Sequence, residues 1–268
     1  MHLRPEPKPT NGHHFGALLH CPRKAWFNYH AHEEMKAPLP LSLRAMQREG
    51  LAYEREVIER IYPDAYVVSG KRVGERIEAT RKAMRRGEPV ILQAQFHDGH
   101  RTGVADLLER TDAAPGYRLG HVYRVGDIKS AATVSLGNLY QVGWYSRMLA
   151  DEQEHTPTHA FLIMGDGRRE EIELSLIDGL LDQAYVDLLQ LRLLSARQLD
   201  EAHPPVLTRH CLSCAYRYTC MPLLQRGTDL TLLPGLGRNR LQRLRDAGLT
   251  RWDELDARPD ADLAALGF

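Results

Sequence analysis

Three strand signals follow one another closely, at residues 89–96, 101–110 and 117–129, and a helical stretch follows at 136–149. That run limits the fold more than any other feature of the chain. Asp98-Gly99 suits a tight hairpin turn between the first two strands. A further strand is expected at 158–164 and another at 168–174, with Asp166-Gly167 marking the turn between them. Helices are expected at 14–30, 41–62 and 74–86, the last closing on Gly87 as a C-cap. A short strand is expected at 65–69, and one leucine-rich helix at 176–198. Helix, three strands, helix and strand in this order argue for an α/β fold, a mixed sheet flanked by helices.

Pro204-Pro205 breaks the pattern ahead of a cysteine-rich loop. Residues 225–228 read as a linker, so two domains are expected, 1–225 and 226–268, the second small and all-helical. Residues 248–268 read as the start of a second helical hairpin, and the natural polypeptide is therefore expected to continue beyond Phe268. The chain has 35 basic and 35 acidic residues, so net charge alone points to no nucleic acid. Local charge says more: residues 71–88 carry seven basic and three acidic side chains, and 226–251 carry six and two. Such patches can meet phosphates, although a charge run is often only a solvated face. No apolar run is long enough to span a membrane and no signal-peptide core follows Met1, which leads to a cytoplasmic expectation.

Chemistry concentrates in residues 103–145. Gly103-Val-Ala-Asp106 lies on one expected strand and Gly126-Asp127-Ile-Lys129 on the next. Side chains alternate along a strand, so Asp127 and Lys129 point the same way. On the following helix Gln141 and Tyr145 are four apart and share a face. Two carboxylates, a lysine, a glutamine and a tyrosine can thus converge. Carboxylate oxygens suit Mg²⁺ or Mn²⁺, which could polarise a phosphate and activate a water. Glu54 on the preceding helix is a further candidate ligand, with Glu56 and Glu59 as rivals. Each motif taken singly is short enough to arise by chance.

The four cysteines are Cys21, Cys211, Cys214 and Cys220, and the last three form C-x2-C-x5-C. Tight spacing lets thiolates wrap one soft metal centre, and Cys21 is the only thiol left to supply a fourth ligand. Zinc and an iron–sulfur cluster both remain open on spacing. His20 and His210 are read as non-ligands. Farther on, Leu233-Pro-Gly235-Leu-Gly237 opens onto Arg238-Asn-Arg240. A glycine-rich turn at a helix start offers backbone N–H groups to an anion, and the arginines add charge. An ordinary helix–helix turn explains the same residues equally well.

Taken together, Gly-x-x-Asp, Asp-x-Lys and Gln-x-x-x-Tyr resemble the PD-(D/E)XK nuclease core of the RecB-like branch, over residues 14–222. One early cysteine with a late C-x2-C-x5-C is similar to the iron–sulfur members of that branch. Those are the CRISPR-associated iron–sulfur exonucleases and the nuclease domains of AddB-type helicase–nucleases. The resemblance implies a restriction-endonuclease-like sheet and a 4Fe–4S cluster on the four cysteines. It also implies Asp106, Asp127 and the Ile128 carbonyl as metal ligands, Lys129 as the catalytic lysine, and Gln141 and Tyr145 as the helix motif. Asp127 stands where Glu is common, and Glu54 where the family has a metal-binding His. The C-terminal segment is similar to helix–hairpin–helix modules, which implies DNA-backbone binding by Gly235, Gly237, Arg238 and Arg240. The expected activity is metal-dependent DNA cleavage, exonucleolytic or structure-directed, on single-stranded or frayed DNA. Repair, recombination or CRISPR adaptation is the implied setting, with a helicase or another nucleic-acid-processing protein as partner. The alternative is a non-catalytic, cluster-bearing DNA-binding scaffold.

Overall fold

The computed structural model describes residues 3–111, 120–233, 236 and 238–266, Arg238 by its backbone alone. Its centre is a six-stranded mixed sheet whose spatial order follows the chain: β1 Tyr66–Val67, β2 Val90–His97, β3 Thr102–Thr111, β4 Val122–Ile128, β5 His159–Ile163 and β6 Arg169–Glu173. β1 runs parallel to β2, and β4 parallel to β5; the other neighbouring pairs are antiparallel. Both parallel steps need a crossover, and a helix supplies each. These are α4 (Val73–Arg86) and α5 (Leu136–Gln153).

The expected hairpins form. Asp98 Oδ1 accepts from the N–H groups of His100 and Arg101 at 2.9 and 2.6 Å, and Gly99 sits at φ +94°. Gly167 takes the same left-handed role between β5 and β6 at φ +81°, a conformation that Gly reaches without steric cost. Gly87, at φ +70°, ends α4 as expected. Residues 117–119 of the third expected strand lie outside the described residues.

Three expected helices are corrected. Residues 14–30 form two helices, α1 (Gly12–His20) and α2 (Pro22–His30), because Pro22 has no N–H to donate and holds Cys21 in an extended conformation. The stretch 176–198 divides into α6 (Asp178–Leu193) and α7 (Ala196–Ala202). There Ser195 Oγ accepts from Gln198 N while Gln198 Oε1 accepts from Ser195 N, a capping box that starts a new helix. α5 runs four residues past its expected end, to Gln153. That buried side chain bonds both the N–H and the C=O of Tyr123, at 2.9 and 3.1 Å.

Two compact units emerge. The larger comprises Arg4–His30 and Leu41–Leu193; the smaller includes Ala31–Pro40 and Leu194–Phe268. The expected boundary at 225/226 falls inside the smaller unit. In the larger unit, α3 (Leu41–Ile61) packs Val57 against Leu92, Leu107, Ile128, Phe161 and Ile163 of the sheet. α5 is buried on most of its surface through Tyr140, Val142, Trp144, Tyr145, Met148 and Leu149. A helix with apolar residues nearly all round belongs in a core.

In the smaller unit, α8 (Arg217–Arg226) takes in the first two residues of the expected linker. Trp252 N–H bonds Thr228 O at 2.7 Å, tying the end of that segment to the last helices of the chain. Leu230, Leu244 and Leu249 form a buried cluster under α9 (Arg238–Asp246), α10 (Trp252–Asp256) and α11 (Asp260–Ala265), with Leu255 and Leu266 half-buried against it.

Candidate active site

β4 ends at Ile128. Lys129 N–H still bonds Ile163 O at 2.8 Å, so the backbone stays in register with β5 for one more residue. Strand alternation then sends Asp127 and Lys129 to one side, where Lys129 Nζ lies 2.5 Å from Asp127 Oδ2. Asp106 on β3 is tied in from the neighbouring strand, its Oδ2 accepting the Ile128 N–H at 3.1 Å. From α5, Gln141 Oε1 accepts from Lys129 Nζ at 3.1 Å, and Gln141 Nε2 donates to the Tyr145 hydroxyl at 3.3 Å. The structure therefore brings Asp106, Asp127, Lys129, Gln141 and Tyr145 together.

Two glycines make room for this arrangement. A Cβ at Gly103 would stand 2.6 Å from Tyr145 Cε1, and one at Gly126 would overlap the Phe161 ring. The first lets the Tyr145 ring close onto β3; the second lets β5 pack beside the Asp-x-Lys strand.

Asp106, Lys129, Gln141 and Tyr145 line a pocket of about 860 Å³. Glu54 and Gly50 of α3, Asn11 and His13 at the start of α1, and Gln93 and Gln95 of β2 are among its walls. Asp127 is not among the lining residues: it is fully buried beneath them. Lys129 approaches it off the geometry of a hydrogen bond, so neither Asp127 oxygen has an aligned donor. Glu56 and Glu59 are exposed away from the pocket, Glu56 facing Arg60 at 3.6 Å, while Glu54 lines it.

Burial sets the charge balance. The Asp127 carboxyl is pushed well above the usual range, first by desolvation and then by Asp106, with Lys129 opposing. Glu54 is raised in the same direction by burial and by Asp106. His13 is lowered by burial and by the Lys129 ammonium. The Tyr145 hydroxyl is raised, chiefly by burial, and so keeps its proton. Three carboxyl groups whose charges oppose one another suit a hard cation, which relieves that repulsion and satisfies unpaired oxygens. Among the described residues, no three His, Cys, Asp or Glu side chains are gathered in metal-binding geometry.

Gln93 escapes a reading of the sequence. It sits inside β2 at φ +56°, a left-handed conformation that costs a residue with a Cβ roughly 1–2 kcal/mol. Its Nε2 donates to Glu54 Oε1 at 3.0 Å, and Arg76 Nη2 bonds its carbonyl at 3.3 Å. Two glutamines, Gln93 and Gln95, within an otherwise apolar strand were the available signal. His13 and Asn11 gave none, since only the packing of α1 brings them to the pocket.

The cysteines divide between the units. Cys21 closes α1 in the larger one; Cys211, Cys214 and Cys220 belong to the smaller. Cys211 starts a short 3-10 turn ending at Ser213, and Cys220 lies on α8. None of the four is in a disulfide, and all are half-buried. Backbone N–H groups point at two of the sulfurs, Thr208 to Cys211 at 3.3 Å and Tyr216 to Cys214 at 3.4 Å. Donors aimed at sulfur suit thiolates that ligate a metal. Gly235 and Gly237 lie outside the described residues, as does the side chain of Arg238; Arg240 is exposed on α9.

Among the described residues no helix is long and apolar enough to cross a membrane. No protein-family model matches the chain. A comparison with curated proteins likewise finds no match.

Proposed function

We propose that the chain is a divalent-metal-dependent deoxyribonuclease of the RecB-like PD-(D/E)XK kind, with a restriction-endonuclease-like core. One observation carries the reading: a buried Asp127 with no aligned donor, ion-paired to Lys129, beside an Asp106 fastened to the intervening Ile128 N–H. Asp106, Asp127 and Glu54 are the carboxylates that would hold Mg²⁺ or Mn²⁺, with the Ile128 carbonyl as a further oxygen ligand. Bound there, the ion supplies a polarised phosphate and an activated water.

The remaining work falls to side chains of this chain. Tyr145 stays neutral and accepts from Gln141 Nε2, which turns Gln141 Oε1 toward Lys129. Lys129 is thereby held between Asp127 and Gln141. Its ammonium can offset charge growing on the phosphoryl oxygens. Gln93 keeps Glu54 facing the pocket.

The four cysteines are proposed to hold a 4Fe–4S cluster, with zinc as the rival that an absorbance spectrum separates, since zinc adds no visible colour. Residues 229–268 are proposed as a helix–hairpin–helix segment that adds affinity for the DNA backbone. An end-labelled oligonucleotide assay in Mg²⁺ and Mn²⁺ tests the activity, with Asp106→Ala as control. Cleavage by the wild type alone is expected. Cleavage by neither protein leaves the non-catalytic DNA-binding scaffold.

A further inference from the structure

One face of α3 leads into the pocket. Leu41, Arg44, Gln47, Arg48, Leu51 and Glu54 recur at three- and four-residue steps, so they lie along a single stripe about 20 Å long. Its far end is Glu54, in the pocket wall. Its near end lines a second hollow of about 450 Å³, formed by Leu41, Arg44, Gln47, Arg48 and Leu51. Gln47 and Leu51 line both concavities, so the two lie side by side along α3.

The stripe combines unengaged charge with exposed apolar side chains. Several arginines of the sheet and its flanking helices are engaged with carboxylates: Arg81 grips Glu152 through two nitrogens, and Arg124 and Arg169 share Glu109. On α3 itself Arg55 bonds Leu51 O and Arg60 faces Glu56. Among the described residues the side chains of Arg44 and Arg48 have neither a hydrogen bond nor an ion pair, and both are exposed. Leu41 and Leu51 flank them at 75% and 59% exposure. The face thus offers two cationic groups and two apolar side chains to solvent along the line that ends in the pocket.

We infer that this face of α3 is the track along which a single DNA strand reaches the pocket, with Arg44 and Arg48 on successive phosphates and Leu41 and Leu51 against base faces. The inference rests on the nuclease reading of the pocket and names the path by which a strand would reach it. Arg44 and Arg48 are one turn apart, about 6 Å along the axis, a step that an extended phosphodiester chain can follow. An unpaired strand offers charge and apolar base faces side by side, as the stripe does. A duplex hides its base faces and offers only phosphates and groove edges. Both hollows are of a size that takes nucleotide-sized groups.

The test is binding of a fluorescent oligothymidylate to the full chain in chelator, where no turnover confuses affinity, across a salt series. Arg44→Gln/Arg48→Gln keeps helix propensity, and circular dichroism checks its fold. Its affinity should fall about tenfold or more at low salt, and the slope of log K against log salt should lose about 0.7 for each phosphate contact removed. Arg44→Lys/Arg48→Lys should recover most of the loss, since the charge is kept. A blunt hairpin duplex should bind both proteins alike. Unchanged oligothymidylate affinity and slope in the Gln variant overturns the track; an equal loss for the duplex overturns the single-strand assignment. Wild-type cleavage in Mn²⁺ is read separately. Cleavage without a binding defect in the variant sinks the track and spares the nuclease reading, and a binding defect without wild-type cleavage does the reverse.

Discussion

The pocket at the end of β4 and the cysteine segment around α8 solve different problems. In the pocket each polar group is placed by regular structure: Asp106 and Asp127 by neighbouring strands, Lys129 by strand alternation, Gln141 and Tyr145 by one helical turn. Its interactions close on themselves, from Asp127 through Lys129 and Gln141 to Tyr145. The cysteine segment is a 3-10 turn, a short loop and a helix, with half-buried sulfurs that receive backbone N–H groups. The pocket's framework is stabilised by the buried sheet core. On the proposed cluster reading, the cysteine segment would depend on what its thiols bind, because small loop-rich segments bury little apolar area of their own.

The largest effect that would sharpen this contrast is on the cysteines. Cys214→Ala should remove visible absorbance and lower the yield of folded protein, whereas Lys129→Ala should alter neither. A Cys214→Ala protein as stable and as coloured as wild type would erase the distinction. Lys129→Ala should instead cut cleavage by about 10²–10³-fold while leaving Mn²⁺ affinity nearly unchanged, since an ammonium is no ligand. A titration followed by calorimetry checks the second half.

Gln93 offers a smaller and more discriminating change. Asn tolerates the left-handed backbone better than Gln but is too short to hold Glu54. Gln93→Asn should therefore melt at or slightly above the wild-type temperature while cleavage drops about 10–100-fold, the usual cost of losing the partner of a metal ligand. Equal activity would mean that Glu54 needs no such support.

The smallest effect concerns the scaffold. His14 is buried, stacked 3.9 Å from Tyr29, and bonded to Asn11 at the start of α1. Burial lowers its pKa from 6.5 to about 3. Below pH 6.5 the unfolded chain takes up a proton that the folded one refuses. This contribution is thus complete above pH 6.5 and is lost as pH falls toward 3, at up to about 1.4 kcal/mol per pH unit. Denaturant titrations at pH 7 and pH 5 should show a shallower decline for His14→Gln than for wild type, and parallel declines would assign the effect elsewhere.

Local periodicity made much of this legible. The α/β pattern, the two Asp/Gly hairpins, the Gly87 cap and the partnership of Asp127 with Lys129 follow from alternation and turn chemistry over a few residues. What was hidden depends on competing local signals or on packing. Pro22 and the Ser195–Gln198 capping box split helices whose apolar pattern runs on through them. The left-handed Gln93 and the delivery of His13 and Asn11 come from tertiary contacts that leave no spacing. Asp127 reads as a pocket-wall residue, yet the floor closes over it, which only the packed sheet reveals.

The central claim is that Asp127 is a metal-holding carboxylate in a nuclease pocket. Its most direct test is the Asp127→Ala protein against wild type on an end-labelled single strand in Mg²⁺ and Mn²⁺, with DNA affinity measured alongside. The account predicts loss of cleavage by about 10³-fold or more, with DNA affinity and cluster absorbance retained. Cleavage by Asp127→Ala at the wild-type rate in either ion would contradict it.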